Sequence, residues 1–268
     1  MAMREDTQEK LFSTPRLRGY ASLAEHEANF ALIGCISHKI GILEVVIRNQ
    51  IDSVLLEKVG DWWQHLPPSI KISGERTNSI QLEIHPSIKI ILKTTGDISH
   101  ITPITLVSKQ SMGFWLKVVE YFRIYDQIFN PSFLDNLDFK KYYLKNKNRF
   151  GTKTHLAHRK NAHLKRHEKA DLLLQLLRKL RNRAFHFENL YKCNPKGYPR
   201  LNANIADNKH ESHHKNQEQQ EKPQAEPQDL YVGLHPDKIV LFLDDLLGSF
   251  APELVDYAGG ESGGKEST

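Results

Sequence analysis

The chain has 268 residues, a formal net charge of +5 and a hydrophobic fraction of 39%. That supports one large domain or two small ones, and the mild basic balance fits a polyanionic partner such as RNA without marking a nucleic-acid coat. Cys35 and Cys193 make neither a disulfide framework nor a metal pair, so a reducing compartment is expected. The charged start "MAMREDTQEK" leads into no apolar signal region, and no uncharged run nears the roughly 20 residues of a membrane span. A cytoplasmic protein with no membrane segment is the expectation.

Residues 22 to 59 read as one or two long helices, with Leu43, Val46, Ile47, Val54 and Leu55 at helical spacing. Asn49 and Asp52 fall away from that stripe. Pro67 and Pro68 cannot continue the helix. Residues 70 to 110 alternate enough for two short strands, but periodicity alone leaves them open. "FWLKVVEYFRIYDQIF" reads as a helix ended by Asn130 and Pro131, and the pairs Trp62–Trp63 and Phe114–Trp115 read as core.

Residues 138 to 168 are basic and rich in histidine. The clearest helix follows, from about Glu168 to Leu190, with Leu173, Leu176, Leu177, Leu180, Ala184 and Phe187 on one face. At 100° per residue, Arg178, Asn182, His186 and Asn189 fall on the opposite face, with Arg181 beside them. Residues 202 to 229 hold almost nothing to bury and read as a disordered insert. Apolar periodicity then resumes with a last helix, and residues 259 to 268 read as a flexible tail.

Arg181 and His186 fit the spacing Arg-x4-His. Arg149 and His155 fit a looser form of it, so spacing alone is weak. Asn182 and His186 are i,i+4 neighbours on the face away from the leucines, where a histidine is not a core residue. The bland alternative is a solvated polar face. Glu44 and Arg48 are likewise i,i+4 partners, with Asn49 beside them, and read equally as a surface pair.

Five segments taken in order strengthen the first reading: "STPRLRGYASL", "LEVVIRNQI", "DWW", "SMGFWLKVVEYF" and "LRKLRNRAFHFENL". Their layout resembles the Abi-like abortive-infection proteins of the HEPN superfamily. The resemblance implies an all-α helical bundle over residues 10–201 and 230–258, with the long polar insert before the last helix. It implies a metal-independent endoribonuclease of phage defence or a toxin–antitoxin pair, with no cofactor. Arg181, Asn182 and His186 would be catalytic, in a composite site where two copies meet across a homodimer. A structured or guide-like RNA, or an antitoxin, would be a further partner. The chain departs from the family wording at His186-Phe187-Glu188, where a second histidine or His-Glu is usual, and the insert is long. The alternative on the same fold is a non-catalytic RNA-binding or protein-interaction module.

The residue types suit the chemistry. RNA carries its own nucleophile, the 2′-hydroxyl. Imidazole moves protons near neutral pH, and a guanidinium holds a phosphate and offsets charge in a pentavalent transition state. Glu44, Arg48, Asn49 and Arg178 are expected to support the site. So are Arg149, Arg159, Lys165 and Arg166 of the basic segment, where Tyr142, Tyr143 and Phe150 offer rings for base stacking. A solvated charged face is the equal alternative there. His155, His158, His163 and His167 could hold zinc or nickel, but no cysteine or carboxylate completes a recognisable ligand pattern, so no metal is expected.

Overall fold

The structure is a computed structural model, and it describes residues 5–65, 70–72, 80–82, 110–143, 164–193, 199–205 and 230–259. These residues are mostly helical. The expected insert from residue 206 on, the tail after Gly259, and most of the basic segment lie outside them. The chain divides into two compact units, Met1–Ile40 with Ser132–Thr268, and Gly41–Pro131.

In the first unit, α1 (Glu5–Phe12) and α2 (Thr14–Leu17) lead to α3 (Leu23–Val59), a single helix that continues into the second unit. Ile33, Ile36 and Ile40 are buried at helical spacing. The chain re-enters the unit in α6 (Pro131–Asn136) and a 3-10 turn, Phe139–Tyr142. Then come α7 (Arg166–Phe185), the antiparallel pair β3 (Asn202–Ile205) and β4 (Leu230–Gly233), α8 (Ile239–Phe250) and α9 (Glu253–Gly259).

α7 supplies much of this core. Its Ala170, Leu172, Leu173, Leu174, Leu176, Leu177, Leu180 and Ala184 are buried, a wider apolar arc than the single stripe expected. β3 packs on α7, and Lys179 donates to the Asn202 carbonyl. This strand begins the segment expected to be disordered: Asn202 to Ile205 find their ladder partners at Leu230 to Gly233 instead. On α8, Phe242 meets Tyr142 edge-on at 5.3 Å, and the Tyr142 hydroxyl donates to Asp245 at 2.8 Å. Lys39, itself buried, pairs with Asp244 at 2.6 Å. Of the helices in the described residues, α3 is long and apolar enough to cross a membrane by length and composition. Its isoleucine stripe is core in this fold.

In the second unit the stripe of α3 continues as Leu43, Ile47, Ile51 and Leu55, all fully buried, while Val46 and Val54 are half-buried. The helix ends before the prolines: Gly60 takes φ 73°, and Trp62–His65 forms a 3-10 turn. Trp62 and Trp115 are buried at 5.6 Å, and the Trp62 indole donates to Asp52. β1 (Ile70–Ile72) and β2 (Ile80–Leu82) pair antiparallel, the two short strands that the alternation allowed. α4 (Met112–Phe122) stops at Arg123, which turns left-handed at φ 54°, and α5 (Tyr125–Ile128) follows. The expected single helix to Asn130 is therefore two, and Pro131 opens α6 rather than closing α5.

Phe242→Ala should cost about 3–5 kcal/mol in urea unfolding, since its ring is fully buried beside Tyr142. Leu241→Ala on the exposed side of the same helix should change stability by no more than about 0.5 kcal/mol.

Candidate active site at the end of helix α7

The leucine arc of α7 leaves a polar side, and Asn182 and His186 are both exposed on it, as their spacing predicts. Arg181 and Arg178 are half-buried. The Arg181 guanidinium reaches the Asn182 side-chain oxygen at 3.4 Å and sits 5.3 Å over the Phe185 ring, a cation–π contact.

The helix is shorter than its sequence suggests. It ends at Phe185, His186 is the cap, and Phe187 is left-handed at φ 52°. The Phe187 amide donates to the Ala184 carbonyl and the Glu188 amide to the Arg183 carbonyl, both at 2.9 Å. This is a Schellman motif with phenylalanine where glycine is usual. A side chain in that conformation costs about 1–2 kcal/mol. Two expectations fail for this one reason. Phe187 is not on the leucine face but 44% exposed, stacked on Phe30 at 5.5 Å and 17°. Asn189 leaves the polar stripe and is buried.

Asn189 is structural. Its amide donates to the Gly19 carbonyl and to Glu25, and its side-chain oxygen accepts from the Tyr191 amide. Asn29 of α3, fully buried, donates to the Glu188 carbonyl and the Tyr20 hydroxyl at 3.2 Å, and accepts from the Leu190 amide at 2.8 Å. Arg16 donates to the Phe187 carbonyl at 3.2 Å and the His186 carbonyl at 3.5 Å, putting a cation at the negative end of α7. Glu188 pairs with Arg183 at 2.6 Å and with Arg200 at 3.5 Å. Nothing in the sequence alone assigns a role to Arg16, Tyr20, Asn29 or Phe30. Arg16 and Tyr20 lie in "STPRLRGYASL", a segment that carries the family resemblance but no role of its own.

Beneath Phe30 lies His26, 4% exposed, with ring contacts to Phe12, Tyr20 and Phe30 at 4.8–4.9 Å. Its Nε2 is buried without a hydrogen-bond partner among the described residues. Burial, and next the charge of Arg16, hold this imidazole below its ordinary range, with Glu27 opposing.

The supporting residues do not all belong to the described part of this unit. Glu44 and Arg48 do pair, but largely buried rather than as a surface pair, and Asn49 is exposed; all three belong to the second unit. Arg166 grips Asp135 through both oxygens, at 2.7 and 2.5 Å, and its hydrogen bonds hold that carboxyl below the usual range. Its fork is thus engaged within the protein rather than open to a phosphate. Lys165 caps the start of α7, one helix length from His186. Arg149, Arg159, Phe150, His155, His158 and His163 lie outside the described residues. His167 is exposed in the first turn of α7, and Tyr142 and Tyr143 are buried, so these two rings are core rather than a stacking surface.

The chain matches no family model, no curated protein and no solved structure.

The state of His26 gives a pH test. Its folded pKa is depressed, so the unfolded chain binds the proton more readily. The stability it contributes is full above about pH 6.5 and is lost as pH falls below that value. His26→Phe should therefore lose less urea resistance than the parent between pH 7.5 and 5. Some dependence should remain, since burial also depresses His235. Equal losses in the two proteins would show that His26 is not held neutral by the fold.

Proposed function

We propose that this chain is a metal-independent endoribonuclease on a HEPN-like helical fold, acting in phage defence or as a toxin. The observation that carries the reading is the exposed pair Asn182 and His186, with Arg181 beside it, at a helix end held by buried Asn29 and Asn189. Fixed backbone and open side chains are what a preorganised proton-transfer site needs.

In this reading the RNA 2′-hydroxyl attacks the adjacent phosphorus. One imidazole takes its proton as the 2′-O–P bond forms, and a second gives a proton to the departing 5′-oxygen as the P–O bond breaks. A single chain supplies one His186, so the second comes from another copy across a homodimer cleft. Arg181 holds the phosphate and Asn182 orients it or the imidazole. The products carry a 2′,3′-cyclic phosphate and a free 5′-hydroxyl. Such a protein acts on RNA in the cytoplasm, with an antitoxin or a structured RNA as its restraint.

One observation favours the second reading, a non-catalytic RNA-binding module: Arg181 lies against the Phe185 ring, a pairing of cation and aromatic surface that suits binding without chemistry.

His186→Ala should abolish RNA cleavage with unchanged melting, since an exposed side chain leaves no cavity. Arg181→Ala should lose cleavage and some RNA affinity. His155→Ala should cut normally, and EDTA should not inhibit. Equal cleavage by the parent and His186→Ala would remove the assignment. RNA binding by both without cleavage would establish the binding module.

A further inference from the structure

The ring pair beside His186 has no part in the chemistry above. Phe30 and Phe187 stack on each other yet remain 38% and 44% exposed. Phe187 follows His186 directly and takes the left-handed φ of 52° that glycine would adopt freely. The fold holds it there: its carbonyl accepts from Arg16 at 3.2 Å and from Tyr20 at 3.5 Å. Phe30 is backed by buried His26, which Tyr20 and Phe12 flank. An apolar surface is thus built on buried support, one residue from the proposed proton-transfer group.

The surrounding charge narrows the occupant. Arg16 and Arg18 are exposed on the same N-terminal segment, and Arg181 stands near the end of the helix. Acids stand nearby too: Glu188 is paired with Arg183 and Arg200, Glu25 accepts from the Asn189 amide, and Glu27, one turn before Phe30, is exposed, so the arginines outnumber the one open carboxylate. Rings flanked by cations match a nucleobase with its phosphates. An apolar partner protein has no use for the arginines, and a second copy seated there would bring like charges together unless a polyanion lay between.

We propose that Phe30 and Phe187 form a base-stacking platform that seats a nucleotide of single-stranded RNA next to the bond cleaved at His186. The proposal rests on the ribonuclease reading for its substrate, and stacking is testable apart from cleavage. Rings without hydrogen-bond donors accept any base face, so the platform sets where the strand lies rather than which base is read.

The probe is a set of single-stranded RNA hexamers, each with one 2-aminopurine, titrated into the full-length His186→Ala chain. Its fluorescence should be quenched on binding. Phe30→Leu and Phe187→Leu should each weaken binding about tenfold and remove the quenching, as loss of one stacked base does. Phe187→Tyr should restore both, which separates stacking from damage to the fold; circular dichroism checks the fold of each variant. Unchanged affinity and quenching in the leucine variants, or no binding of any hexamer, overturns the platform. Leucine variants that turn a dimer into a monomer by sedimentation assign the rings to contact between copies, and overturn it too. If the chain unmutated at His186 cuts RNA but the rings do not matter, only the platform falls. If it cuts nothing but the hexamers bind through the rings, only the ribonuclease reading falls.

Discussion

One buried amide organises the region around α7. Asn29 is fully enclosed, and its side chain donates to Tyr20 and the Glu188 carbonyl while accepting from the Leu190 amide. Backbone groups that leave a helix inside a protein must find partners, and each one left without costs about 1–3 kcal/mol. Asn29 supplies two such partners from a helix about 160 residues earlier in the chain. The N-terminal segment is drawn onto the end of α7 by the same logic, through Arg16, Tyr20 and the Asn189 bonds to Gly19 and Glu25.

The consequence is a division of labour across a few residues. Leu180 and Ala184 anchor the last turns in the core, Asn189 and Leu190 anchor the exit, and Asn182, Phe185, His186 and Phe187 between them face water. The strain at Phe187 belongs to this arrangement. Glycine would end the helix more easily, and phenylalanine persists there because the bonds on both sides determine its backbone. Glu188, two residues after His186, is taken up by Arg183 and Arg200.

How far the sequence shows this depends on distance along the chain. The leucine arc of α7 and the aliphatic stripe of α3 are local periodicities, and both are legible. So is the shared exposure of Asn182 and His186, which needs four residues of context. The end of α7 is not legible, because a phenylalanine carries no signal for a left-handed turn and its neighbours look helical. The same holds at Arg123, where α4 stops without glycine or proline. At Gly60 the sequence does carry a signal, a glycine at the helix end, though the prolines beyond it are the more emphatic one. β3 reads as polar filler because the partner that makes it a strand begins at Leu230, beyond the insert. Arg16, Asn29 and Phe30 lie some 160 residues from the turn they secure, and nothing local marks them.

In the proposed reaction, RNA supplies the nucleophile and side chains alone move the protons. The termini of the cut strands test this most directly. RNA incubated with the protein in EDTA and analysed by mass spectrometry should yield upstream fragments ending in a 2′,3′-cyclic phosphate, or its hydrolysed monophosphate, and downstream fragments with a 5′-hydroxyl. Fragments with a 3′-hydroxyl and a 5′-phosphate would mean that water, not the 2′-hydroxyl, attacked the phosphorus, and would contradict the account.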